Sequence, residues 1–121
     1  MDTSAWVETI REQGDPAIRA RVTNCVAEDK AVLCDMVRLE LWNGARSTKD
    51  QRTLREMEAE LATVPTTPEV WTLASEMARL ARSKGLSIPA SDLVIAACAE
   101  HHGLTLIHQD SHFDRLLQLR A

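Results

Sequence analysis

Four acidic side chains stand where they could take part in chemistry rather than only solvate a surface. Asp2 lies directly before a predicted helix, and Glu40 interrupts an apolar helical segment, MVRLELW. Asp92 begins a helix that is otherwise apolar, and Asp110 follows the clearest predicted strand by three residues. In parallel α/β folds, ligands bind at the carboxyl ends of strands and at nearby helix starts. Asp2 and Asp110 have that placement.

Carboxylates that lie close together repel one another, so one or more of them must take up a proton. A divalent cation removes this conflict, and hard carboxylate oxygens suit Mg²⁺ or Mn²⁺. Such an ion lowers the pKa of a bound water and stabilises charge on a phosphoryl group under attack. Together, the acids therefore predict phosphodiester hydrolysis. Each acid also has a simpler explanation when it is taken singly. Asp92 and Asp110 fit charges at the start of a helix, as the helix dipole favours. Asp2 fits an unordered terminal residue, and Glu40 fits the solvated flank of its helix.

The elements that must position these acids alternate between helices and short apolar strands. The patterning predicts helices over 5–13, 16–26, 36–44, 48–61, 68–84, 92–102 and 113–119, and strands over 31–34, 62–64 and 104–107. Asp35 is predicted to cap the third helix, and Gly85 to follow the end of the fifth. Strands that are apolar throughout are typical of parallel sheets, which bury both faces. We predict an α/β sandwich around a short parallel sheet, in a single domain spanning 1–121.

Composition narrows the function classes. The net charge is −4, so the protein is not expected to hold nucleic acid mainly by neutralising phosphates. Aromatic residues make up 3% of the chain, too few for a platform on which bases stack. Cys25, Cys34 and Cys98 lie in apolar stretches and are predicted to be reduced core residues. No apolar run is long enough to cross a membrane and no leader is visible, so we expect a cytoplasmic protein.

Four segments resemble motifs of one known family, in the order and spacing of that family. Met1-Asp-Thr-Ser-Ala-Trp6 resembles the opening motif of PIN domains, in which an Asp followed by Thr/Ser and Ser ends the first strand. Arg38–Gly44 is similar to the segment that carries the family's Glu, and 91–97 (SDLVIAA) to the segment that carries its third acid. The stretch 104–113 (LTLIHQDSHF) is similar to the late strand and its acidic loop. The chain thus resembles PIN domains, including VapC-like toxins, along nearly its whole length.

This resemblance implies a three-layer α/β/α sandwich and a metal-dependent endoribonuclease that cleaves RNA with a metal-activated water. One or two Mg²⁺ or Mn²⁺ ions would be held by four acids, Asp2, Glu40, Asp92 and Asp110. Thr3 would orient the first acid, and Ser4 would support the site by hydrogen bonding. The resemblance also implies a homodimeric toxin of a toxin–antitoxin pair, whose cognate antitoxin places its tail in the acidic cleft.

Two segments depart from the family pattern. The family has a hydrophobic strand before its first acid, but one residue precedes Asp2, so we expect a truncated first strand. The last loop carries His108 and His112 around Asp110, where relatives often have a hydroxyl or amide residue and a second acid. Asp114 is a candidate for that second acid, although a surface charge at a helix start is the interpretation that we favour.

Two other function classes compete with the nuclease. One is a catalytically inactive PIN-like module that binds a protein partner. The other is an Asp-nucleophile phosphatase or a receiver domain, but the phosphatase expects a second Asp where this chain has Ser4. A receiver needs a lysine late in the chain, and Lys84 is the last one. Six basic residues fit either an RNA path or a solvated helix surface: Arg11, Arg38, Arg46, Lys49, Arg52 and Arg55.

Overall fold

Two short parallel strands form the sheet in the computed structural model, which describes residues 32–104. β1 spans Val32–Cys34 and β2 spans Ala62–Val64, and the two are paired in register from Val32 opposite Ala62 to Cys34 opposite Val64. Parallel neighbours need a crossover between them. Here the crossover is a pair of helices, α1 (Asp35–Gly44) and α2 (Thr48–Glu60).

Two longer helices follow β2 and supply most of the described core. α3 spans Pro68–Ser83 and buries one face, through Val70, Ala74, Met77 and Ala81. α4 spans Ala90–His101 and packs along α3, and every residue from Leu93 to Cys98 is buried. A helix that is apolar all round has to be surrounded by other elements. α4 is therefore the central helix of the described region.

Local signals define the ends of these helices. The Ser47 and Thr67 hydroxyl oxygens accept hydrogen bonds from the third residue of α2 and α3 respectively, as N-caps do. Gly85 and Gly103 have φ of +72° and +66°, which suits the left-handed residue that ends a helix. The amide of Leu86, which follows Gly85, donates a hydrogen bond to the Ala81 carbonyl oxygen at 2.9 Å. This bond completes a Schellman motif.

The fold agrees with most of the predicted elements that it covers. The structure confirms the α/β class, the parallel sheet, both strands within 32–64, and the glycine end of α3. The helix predicted to begin at Asp92 begins at Ala90 instead. Four predicted elements lie outside the described residues: the helices over 5–13, 16–26 and 113–119, and the strand over 104–107 apart from Leu104. Within 32–104, no helix has the length and apolar character needed to cross a membrane.

Candidate active site

Glu40 lies in the second half of α1, at the border between its buried and exposed faces. Val37 and Leu41 form the buried face, and Glu40 follows Val37 by three residues, which leaves it half-buried. Leu39 points the other way and is 62% exposed. The helical period thus sets this acid at the edge of the core.

Asp92 lies in the first turn of α4 and is half-buried just before the apolar run. Amide groups of a first helical turn have no partner within the helix, so this end of α4 favours a negatively charged side chain. α4 packs against α1, the helix that carries Glu40. Glu40 and Asp92 each take part in a polar interaction within the structure.

The remaining predicted site residues, Asp2, Thr3, Ser4 and Asp110, lie outside the described residues, as do His108, His112 and Asp114. Within 32–104, no group of three or more His, Cys, Asp or Glu side chains is arranged to hold a metal ion. The predicted cluster draws only two of its four acids from this region, so its convergence stays a prediction. The chemistry of the two described donors, ionisable carboxylate oxygens on packed helices, fits Mg²⁺ or Mn²⁺.

Asp35 is not the helix cap that the sequence predicted. It is the first residue of α1, the N-cap is Cys34, and no side chain caps that end. Asp35 instead reaches across the carboxyl edge of the sheet, where its Oδ2 accepts hydrogen bonds from the Thr66 amide (3.3 Å) and hydroxyl (3.2 Å). Arg38 approaches the other carboxylate oxygen at 3.9 Å. This contact ties the start of the Glu40 helix to the segment after β2.

A second contact that the sequence did not reveal braces α1 against α2. The Trp42 indole N–H donates a hydrogen bond to the Glu58 carboxylate. On the same ring, the Arg55 guanidinium lies 5.8 Å from the centroid, a cation–π distance. Trp42 is two residues beyond Glu40, so these contacts fix the orientation of the helix that carries the acid.

The end of β1 and the middle of α4 meet through two buried thiols. Cys34 and Cys98 are free and buried, which confirms their prediction as reduced core residues; Cys25 lies outside the described residues. A hydrogen bond from Cys98 and nearby α1 amides lower the pKa of the Cys34 thiol to about 7. The same pairing, together with burial, raises the pKa of Cys98.

α4 is also tied to the residue that follows β2. The Cys98 Sγ lies 4.0 Å from the Pro65 carbonyl oxygen, and the His102 Nε2 donates to that oxygen at 2.8 Å. Cys98 and His102 are four residues apart, on one face of the helix. Neither residue's contact with Pro65 is predictable from sequence, and the four-residue helical spacing is the one signal that pairs Cys98 with His102.

Comparison with known proteins places this arrangement in a family. The PIN domain family model matches residues 1–117. The Mycobacterium tuberculosis ribonuclease VapC18 is 37% identical over 120 residues, covering 96% of this chain and 85% of that protein. Ribonuclease VapC21 from the same species is 36% identical over 104 residues, covering 84% of this chain and 75% of that protein.

Solved structures agree on the fold. VapBC2 from Rickettsia felis, bound to a DNA fragment from its promoter, has a TM-score of 0.76 at 18% identity, covering 94% of this chain and 89% of that chain. FitAcB from Neisseria gonorrhoeae has a TM-score of 0.71 at 22% identity, covering 97% and 91%. The expected PIN-like α/β architecture is therefore confirmed, and the chain belongs to the PIN-domain family as a VapC-like member.

Proposed function

We propose that the protein is a Mg²⁺- or Mn²⁺-dependent endoribonuclease and the toxin of a toxin–antitoxin pair. The observation that carries the proposal is family membership over 1–117, with relatives of 36–37% identity that are named ribonucleases. The homodimer and the cognate antitoxin partner belong to the same proposal. The likeness of fold to the VapBC2 and FitAcB structures supports this proposal.

In the proposed mechanism, Glu40 and Asp92 contribute two of the four carboxylates that hold the ion, and Asp2 and Asp110 the others. When bound, the divalent ion supplies an acidified water and neutralises charge on the scissile phosphoryl group. Asp92 lies in the first turn of α4, where the helix dipole favours a negative charge. Glu40 lies on α1, which the hydrogen bond from Trp42 to Glu58 braces against α2.

The test is calorimetric titration of Mg²⁺ and Mn²⁺ into the wild-type protein and the isosteric variants Asp92→Asn and Glu40→Gln. Each variant removes one charge from a shared site, so we expect at least about tenfold weaker ion binding and loss of metal-dependent RNA cleavage. Glu76→Gln on the exposed face of α3 is the matched control and should bind ions as the wild type does.

A wild-type protein that binds neither ion and cleaves no RNA would contradict the proposal. That result would favour the alternative of a catalytically inactive PIN-like module that binds a protein partner. Normal ion binding by both Asp92→Asn and Glu40→Gln would also contradict the assignment of these two acids.

A further inference from the structure

The charges of α2 run against the dipole of the helix. Arg46 and Lys49 stand at its amino end and Arg52 one turn further on, and all three are exposed. Glu58 and Glu60 occupy the last turn, which has no basic residue. A helix favours anions at its amino end and cations at its carboxyl end. This distribution of charge therefore lowers the stability of α2.

The charges of α3, in contrast, agree with the dipole of their helix. Glu69 lies in the first turn of α3, and Arg82 lies in its last turn, with Arg79 and Lys84 on either side. These charges stabilise the helix ends that they occupy. The reversed order in α2 thus has no explanation in the stability of the helix, and a ligand for the cations supplies one.

The one acid at the start of α2 is engaged by the backbone. The Asp50 amide donates to the Ser47 hydroxyl at 3.0 Å, and its carboxylate accepts from the Arg46 amide at 3.2 Å. Between residues 32 and 104, no ion pair involves the side chains of Arg46, Lys49 or Arg52. Lys49 and Arg52 are also neighbours on the helix surface, where like charges repel each other.

We propose that Arg46, Lys49 and Arg52 form a phosphate-contact surface for the single-stranded RNA substrate. The inference rests on the proposed function. A chain with a net charge of −4 repels a polyanion, so a local group of cations is needed to bring the strand to the acidic site. α1 ends at Gly44, two residues before Arg46. Glu40 lies four residues before Gly44, which is about 6 Å along the helix axis.

The experiment compares two triple variants that each remove three exposed positive charges. The first combines Arg46→Gln, Lys49→Gln and Arg52→Gln, and the control combines the three substitutions on α3, Arg79→Gln, Arg82→Gln and Lys84→Gln. A fluorescent oligouridylate is titrated in the presence of EDTA, so that binding is measured without cleavage, over a series of salt concentrations. Thermal unfolding of both variants is measured alongside.

We expect the α2 variant to bind the oligouridylate at least about tenfold more weakly at low salt. The slope of log K against log salt should become shallower by about 2, at about 0.7 for each of three phosphates. The control should change both quantities much less. The α2 variant should also melt at a higher temperature than the wild type, and the α3 control at a lower one, because only the α2 charges oppose their helix dipole.

Two outcomes overturn the inference, and a third overturns the proposed function instead. Unchanged affinity and salt slope in the α2 variant, with metal binding and cleavage intact in the wild type, would remove the surface and leave the proposed function standing. Equal displacement of the oligouridylate by polyglutamate of the same charge would assign the surface to an acidic protein. Loss of oligouridylate binding in the α2 variant of a protein that binds no metal would keep the surface and remove the nuclease.

Discussion

Removal of the Asp35 carboxylate tests how the start of α1 is held. We expect Asp35→Ala to lower the free energy of unfolding by about 2 kcal/mol, Asp35→Asn by about 1 kcal/mol and Thr66→Val by about 0.5–1 kcal/mol. The alanine loses both hydrogen bonds to Thr66 and the first-turn charge. The asparagine keeps an oxygen that can accept one bond, and the valine removes only the hydroxyl donor.

The magnitude follows from the geometry. A hydrogen bond to a charged group contributes about 1.5–3 kcal/mol, but the Thr66 donors lie at 3.2 and 3.3 Å and the Asp35 side chain is 46% exposed. We therefore assign about 0.5–1 kcal/mol to each bond. The charge at the helix start adds about 0.3–1 kcal/mol. The Arg38 contact, at 3.9 Å and half-exposed, adds almost nothing.

The coupling free energy between Asp35 and Thr66 is measured by urea unfolding of Asp35→Ala, Thr66→Val and the double variant that combines them. We expect a coupling free energy of about 0.5–1.5 kcal/mol, because the two side chains contact each other directly. Thr63→Val on the exposed side of β2 is the matched control and should change stability by less than about 0.5 kcal/mol. Additive losses at Asp35 and Thr66, within about 0.3 kcal/mol, would refute the argument that this contact stabilises the sheet edge.

Two further predictions concern helix ends and the thiol pair. Gly85→Ala should destabilise the protein by about 1 kcal/mol in urea unfolding, because its φ is +72° while no atom lies within 4 Å of the added Cβ. Gly44→Ala, within α1 and equally open, should stabilise it by about 0.5–1 kcal/mol, and equal effects would refute the backbone explanation. Cys98→Ala in a Cys25→Ser background should raise the pKa of Cys34 above about 7, as read from thiolate absorbance against pH. An unchanged titration would show that the α1 amides alone lower it.

Local chemistry explains why most helices and both strands of the described region could be predicted from sequence. Caps, prolines and glycines act over a few residues, so Thr67 before Pro68 marks the start of α3 and Gly85 marks its end. The apolar run of α4 is likewise visible in the sequence. These signals do not depend on what the rest of the chain does.

The errors arose where a distant partner or an extended residue decided the outcome. Asp35 carries the signal of an N-cap, but β1 runs directly into α1 and Cys34 takes the cap position, which frees the carboxylate for Thr66, 31 residues away. The sequence predicted a helix that begins at Asp92, but Pro89 takes the N-cap position and the helix begins two residues earlier, at Ala90. Asp92 then occupies the third helical position, where an acid still complements the dipole.

The sequence does not predict the surroundings of Glu40, one of the two described acids of the candidate site. The segment around Glu40 looks like one apolar face, but Leu39 is 62% exposed and only Val37 and Leu41 are buried on α1. Residue type alone does not show which apolar side chain faces the core when several are adjacent. The contacts that orient the acid, through Trp42, join residues 16 positions apart and leave no local pattern.

One short segment connects the two helices that carry the described acids. Pro65 and Thr66 follow β2 directly: Thr66 binds the Asp35 carboxylate at the start of α1, and the Pro65 carbonyl accepts from His102 near the end of α4. The helix that carries Glu40 and the helix that carries Asp92 are thus both hydrogen-bonded to the same two-residue segment. A shift of this segment has to move both helices, because each is bonded to it independently. The relative placement of these two helices is therefore set by hydrogen bonds at the sheet edge as well as by the packing of α4 against α1.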